Sequence, residues 1–163
     1  MPELDKFEIL GGLLRRVGNF NPDSFEKSFK DRLIFQKTIY LLQSFNIYLG
    51  FHFSWYIRGP YSPVLAKEGY KLIKKSDQTP NVKFLEESSE RQFQKFITFL
   101  GERNNDAEWL ETLASIHFLK HTYLGIGKNS IMKMVQRKQP HLTIEKCQAA
   151  WDYLESFGLI PGG

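Results

Sequence analysis

Few residues in this 163-residue chain have the types and spacing for chemistry. His117 and His121 stand four apart, a spacing that puts two imidazoles on one helix face and that metal sites use. Phe118, Leu119 and Lys120 lie between them. The glutamate of a zinc-hydrolase helix is therefore missing, no third ligand is evident, and His117 is expected at the edge of the core. Gly125-Ile126-Gly127-Lys128-Asn129-Ser130 has the glycines and lysine of a phosphate loop. Thr122 and Asn129, however, occupy the places where such a loop needs Gly and then Ser or Thr. The stretch reads instead as a turn with Asn129 or Ser130 capping a helix. The single cysteine, Cys147, excludes an intramolecular disulfide and a cysteine-based zinc site. No general base stands beside it, and a buried thiol is the usual outcome. Glu86, Glu87 and Glu90 precede a helix, where carboxylates favour the dipole. No nucleophile, acid–base pair or metal set emerges, so the expectation is a non-enzymatic protein with no cofactor and no metal.

The stretch Arg58-Gly59-Pro60-Tyr61-Ser62-Pro63 asks for another kind of explanation. Pro60 fixes its own φ and pushes Gly59 out of the α region. Ser62 suits an N-cap, and Pro63 suits the first helical position, where its missing N–H costs nothing. This is a rigid joint between strand and helix. Arg58 and the helix-start N–H groups together suit an anion. The plainer account pairs Arg58 with an acidic side chain, since loops of this kind usually only connect.

The elements around the joint follow from periodicity. Leu4, Phe7, Leu10, Leu14 and Val17 place a first helix over 3–17, with Gly11 and Gly12 admitting a close approach by another helix. Phe25, Phe29, Leu33, Gln36 and Tyr40 mark one line of a long, central helix over 24–45, capped by Asp23 or Ser24. Residues 51–57 read as an aromatic strand whose best partner is Val82 to Leu85, with a loop over 76–81. Helices follow over 88–100 and 107–122, the second capped within Asn104 to Asp106. Residues 131–138 and 143–157 give a short and a longer helix, stopped by Pro140 and Gly158. That closing cadence is a helix-turn-helix of winged type. The fold class expected is mainly α: a helical bundle with a small two-stranded β-ribbon and a winged-helix-like C-terminal helix-turn-helix. Length fits a single domain over 1–163, made of a helical core over 3–104 and the winged-helix-like part over 105–163.

Gln36, Lys37, Tyr40 and Gln43, followed across a short aromatic strand by Gly59, Pro60 and Pro63, resemble the signature of YwgA-like proteins. These are relatives of the Panacea-domain group that includes SocA-type antitoxins and phage-associated GepA-like proteins. The likeness covers roughly 25–75, and Val64 stands where many relatives carry an acid after the second proline. The resemblance implies a mostly helical, non-enzymatic domain that binds and neutralises or adapts a partner protein, a toxin in the antitoxin case. Beside it, the residues themselves allow two accounts of Gln36. Its amide either ties the Gly-Pro joint to the long helix, or it belongs to a polar partner-binding surface with Lys37, Tyr40, Tyr56, Arg58 and Tyr61. Buried amides are usually members of such networks, which favours the tie.

Charge supplies the rival reading. Net charge is +4, with +5 over 1–75, −4 over 76–119 and +3 over 120–163. Lys128, Lys133, Arg137, Lys138 and Lys146 concentrate positive charge around the second helix of the C-terminal unit, which suits phosphate contacts with duplex DNA. The helix that would read bases, with Glu145, Gln148, Asp152 and Glu155, is poor in Arg and Asn. The start, Met1-Pro2-Glu3-Leu4-Asp5, lacks the apolar run of a signal peptide, and no stretch approaches the roughly 20 apolar residues of a spanning helix. The expectation is a cytoplasmic protein without a membrane partner. Its candidate partners are a protein, duplex DNA and, as a homodimer, a second copy of the chain.

Overall fold

The computed structural model describes residues 5–75 and 80–161. Among them are seven α-helices and one two-stranded antiparallel sheet, so the chain is mainly α with a small β-ribbon. Helix α1 (Lys6–Val17) is capped by Asp5, whose side chain accepts from Glu8 N–H, and ends at Gly18 in the left-handed region. Residues 3 and 4 of the expected helix lie outside the described residues. Helix α2 (Phe29–Gln43) begins later than expected. Ser28, not Asp23 or Ser24, is its cap, because the chain over 22–27 is held in turns that place the Ser28 oxygen over Asp31 N–H. Ser24 instead reaches the Asp31 carboxylate.

The ribbon is a correction to the sequence reading. Strand β1 (Ser54–Tyr56) pairs with β2 (Gly59–Tyr61), in the register Ser54 with Tyr61, Trp55 with Pro60 and Tyr56 with Gly59. Val82 to Leu85 form no strand. The joint is thus itself the partner strand. Gly59, at φ +92, lets the chain turn back within two residues, so the nearest stretch of chain is the one that pairs. Pro60 is tolerated in the pair because its missing N–H faces no ladder acceptor on an edge. The expected strand over 51–57 shortens to three residues because Gln43 serves its beginning. That side chain donates to Phe51 C=O at 3.0 Å and accepts from Leu49 and Phe51 N–H at 3.1 Å each.

Helix α3 (Pro63–Lys75) starts as the sequence predicts, with Leu65 N–H donating to the Ser62 hydroxyl at 3.2 Å. The expected loop over 76–81 falls mostly outside the described residues; Pro80 and Asn81 are irregular. What approaches Gly12 is not a helix but this segment. A Cβ there would meet Val82 Cγ1 at 2.6 Å and the Pro80 carbonyl at 2.8 Å. Helix α4 (Glu87–Leu100), a short 3-10 turn, and α5 (Ala107–Thr122), capped by Asp106, complete the middle. Glu90 of the acidic trio pairs with Arg16 at 2.5 Å, which pulls its carboxyl down to about 2.

Helix α6 (Lys128–Lys138) is capped by the extended Gly127 rather than by Asn129 or Ser130. The Gly127 carbonyl accepts from Ile131 N–H at 3.1 Å, as an N-cap carbonyl does, so the helix starts three residues early. Helix α7 (Ile144–Ser156) is capped by Thr143 as expected, with Gly158 left-handed just beyond it. Helices α5, α6 and α7 pack against one another, and no strand follows α7 among the described residues. One buried cluster runs from Leu10 to Ile160. At roughly 1.5–3 kcal/mol per fully buried large apolar side chain, it dominates stability. Its axis is α5, where nine of the ten residues from Trp109 to Phe118 are buried.

Candidate functional site: an aromatic cavity over a buried polar floor

The long helix α2 carries Gln36 and Lys37 beneath the hairpin. The Gln36 amide makes a two-way bond with Ser62, its nitrogen donating to the Ser62 carbonyl and its oxygen accepting from Ser62 N–H, both at 2.9 Å. Ser62 is a residue whose neighbours are Pro-constrained and which no sheet or helix fully serves, so the amide completes its backbone. The tie between the two motifs is thus the arrangement found. Lys37 is 1% exposed and donates to the Pro60 carbonyl at 2.6 Å. Burial pushes its ammonium down to about 7, with Glu111 pulling the other way and Arg58 adding to the fall.

Glu111 lies behind the hairpin, fully buried on α5. It accepts from Gln139 Nε2 at 2.8 Å and from His141 Nε2 at 2.9 and 3.1 Å, while Arg58 Nη1 stands 3.5 Å away. Gln139 Nε2 also reaches the Ser115 hydroxyl at 2.9 Å. The acidic partner foreseen for Arg58 is therefore Glu111. Gly59 packs so closely on this group that a Cβ would lie 2.3 Å from Ser115 Oγ. Glu111, Ser115, Gln139 and His141 were missed from sequence. The signal was a carboxylate inside Leu110-Glu111-Thr112-Leu113, on a helix apolar on all sides, where an acid must be paired.

Above this floor the hairpin, α2 and α3 enclose a cavity of about 480 Å³. Gln36, Lys37, Tyr56, Arg58 and Tyr61 all line it, so five of the six residues expected at a partner surface come together. Phe25, Phe29, Phe35 and Tyr70 supply further walls, in edge-on arrangement: Phe25 lies 5.3 Å from Phe35 and 5.4 Å from Tyr70, and Tyr56 lies 5.0 Å from Tyr61. The charged lining residues are Arg32, Lys37 and Arg58, and no carboxylate lines the cavity.

Tyr40 is the exception. It turns toward α5, where its hydroxyl meets His117 Nδ1 at 2.7 Å and its ring packs on Phe53 and Phe118. Tyr40 stands four residues past Gln36, slightly more than one helical turn, and that extra rotation carries it away from the cavity, which the sequence line through Gln36 and Tyr40 hides. Burial raises the Tyr40 phenol far above its usual range and lowers His117 to about 3, as expected of a histidine packed at the core edge. The His117 and His121 rings lie tilted with centroids 4.1 Å apart, and no group of three metal-ligating side chains gathers among the described residues. Cys147 is buried, its thiol raised to about 11.

The basic residues of the C-terminal unit divide. Lys128 stands 3.8 Å from Asp152, and Lys146 donates to Glu108 at 2.5 Å. Lys133, Arg137 and Lys138 are exposed on α6. Together these features define a mainly helical protein with an aromatic cavity set over a buried polar floor in which Gln139 Oε1 alone, among the described residues, lacks a partner. Comparisons with protein-family models, with curated proteins and with solved structures find no match for this chain.

Proposed function

We propose that this chain is a non-enzymatic, regulatory protein-binding module whose docking surface is the hairpin corner, acting on its partner in the antitoxin-like manner that the resemblance to YwgA-like and Panacea-domain proteins implies. One observation carries the reading. Phe29 (54% exposed), Tyr56, Ile57 (72%) and Tyr70 leave large apolar surface in water around one cavity, four of the ten such residues among those described. Gathered apolar surface of this kind marks interaction sites, and aromatic side chains with an arginine form the centres of protein interfaces. The cationic lining selects the partner's chemistry: an apolar anchor flanked by carboxylates. The floor is locked by Gln36 and Lys37, so the surface is pre-organised and little ordering cost opposes binding.

The test is capture from lysate on the immobilised chain, followed by purification of the captured protein and titration against it. Ile57→Asp changes only the exposed loop tip and repels an acidic partner. The reading expects micromolar or tighter affinity that falls at least about tenfold with Ile57→Asp. A purified binder indifferent to that change sinks it.

A second reading, duplex-DNA binding, rests on the exposed Lys133, Arg137 and Lys138 of α6. Lys128 and Lys146, already set against Asp152 and Glu108, weaken it. Anisotropy titration with mixed-sequence duplex at about 50 and 200 mM salt decides: tight binding with a steep salt slope, lost in Arg137→Glu and Lys138→Glu, favours DNA.

A further inference from the structure

The cavity holds more than a protein rim requires. Its volume of about 480 Å³ falls within the roughly 300–1,000 Å³ of small-molecule sites. Such sites are apolar with a few convergent polar groups, and this one has aromatic walls with Arg32, Arg58 and the Gln36–Lys37 floor. We infer that the cavity between α2, the hairpin and α3 is a binding site for a small aromatic carboxylate, its ring held among Phe25, Phe35 and Tyr70 and its carboxylate by Arg58.

Arg58 is the residue free to take that charge. Among the described residues only its Nη1 makes polar contacts, at 3.4 Å from His141 and 3.5 Å from Glu111, both long, and its carbon lies 5.4 Å over the Phe29 ring. Glu111 is already satisfied by His141 and Gln139 at 2.8–3.1 Å and does not depend on the guanidinium. The rest of the fork is left for a carboxylate, and the Arg58 side chain is 42% exposed, so a ligand reaches it. Arg32, by contrast, spends Nη1 on the carbonyls of Phe25 and Glu26 and serves to hold the wall. The charge rule is one-sided: Arg32 and Arg58 line the site and no carboxylate does, so an amine of the same shape meets only repulsion.

This inference uses the same corner as the protein-binding reading but needs no partner, and its test is read on the purified chain alone. Indole-3-acetate, tryptamine and the tripeptide acetyl-Asp-Trp-Glu-amide are titrated separately into isotopically labelled protein, following amide shifts by NMR. Binding of indole-3-acetate at least about tenfold tighter than tryptamine is expected. Arg58→Gln should erase that preference, and Ala66→Leu, which adds bulk at the cavity wall and removes no charge, should abolish binding while thermal melts remain cooperative. Equal affinity for acid and amine overturns the inference, as does no shift at about 10 mM, a concentration at which even millimolar ligands saturate. Binding of the tripeptide alone also overturns it, and assigns the cavity to the anchor of a protein partner. Loss of lysate capture with retained indole-3-acetate binding would sink only the partner reading.

Discussion

The hairpin corner and the α6–α7 face both present positive charge, yet they treat it in opposite ways. On α6, Lys133, Arg137 and Lys138 extend into water from one helix, where each keeps its hydration and each rotamer remains free. At the corner, Lys37 is buried against the Pro60 carbonyl, Arg58 lies between Glu111 and the cavity, and Arg32 is tied to two backbone carbonyls. The three cations there are better placed than the three on α6, because Lys37 is desolvated, each is held by a partner and aromatic walls surround them. The comparison teaches that net charge ranks the C-terminal unit as a site, whereas pre-organisation ranks the corner.

The contrast breaks first, and most severely, at Glu111. Glu111→Ala removes the acceptor shared by Gln139 and His141 and strands Lys37 and Arg58 beside it, so a loss of about 3–5 kcal/mol is expected in urea unfolding. A loss under about 1 kcal/mol, the range of a surface pair, would mean that this group is solvated like α6. Gln36→Leu comes next. It leaves the Ser62 N–H buried without its partner, at about 1–3 kcal/mol, while Ala66 N–H still serves the Ser62 carbonyl. Unchanged thermal stability with lost partner binding would turn Gln36 from a tie into a contact residue. Gly59→Ala combines left-handed backbone with a clash on Ser115, and about 1–3 kcal/mol is expected from backbone strain alone.

Lys37 sharpens the comparison through pH. Its folded value, about 7, lies below the ordinary lysine value, so between the two the unfolded chain binds more protons than the folded one. Stability therefore rises with pH from about 7 toward 10 and is lost as pH falls back, by at most about 1.4 kcal/mol per unit. Denaturation at pH 7 and 9 should show this slope in the wild type and a flatter one in Lys37→Met. Equal slopes would place the ammonium in water. Smallest of all, Lys133→Glu or Lys138→Glu should shift stability by no more than about 0.5 kcal/mol, as exposed sites do.

Much of the fold was legible because it rests on local chemistry. Asp106 and Thr143 open helices where the sequence places them, and Ser62 with Pro63 opens α3 for reasons visible in those residues alone. The readings that failed were of other kinds. Ser28 displaced Ser24 as a cap because a run of turns re-aimed the chain, and β1 found its partner within the joint and not in Val82 to Leu85. Part of the site was legible too: Gln36, Lys37, Tyr56, Arg58 and Tyr61 meet at one cavity, while Tyr40 leaves for His117. Helical spacing fixes which residues share a line, but a small rotation decides which of two neighbouring elements each one meets.

The sequence by itself determined the helices, some of their caps, the stiff strand-to-helix joint and the absence of a familiar catalytic motif, since propensity, capping and proline geometry act within a few residues. Tertiary structure alone decided that Glu111, Gln139 and His141 close beneath a glycine some fifty residues or more away, and that aromatic rings from α2, the hairpin and α3 gather over them. Desolvation and the pairing of buried charge depend on segments distant in the chain, and no local pattern encodes which of those segments will meet.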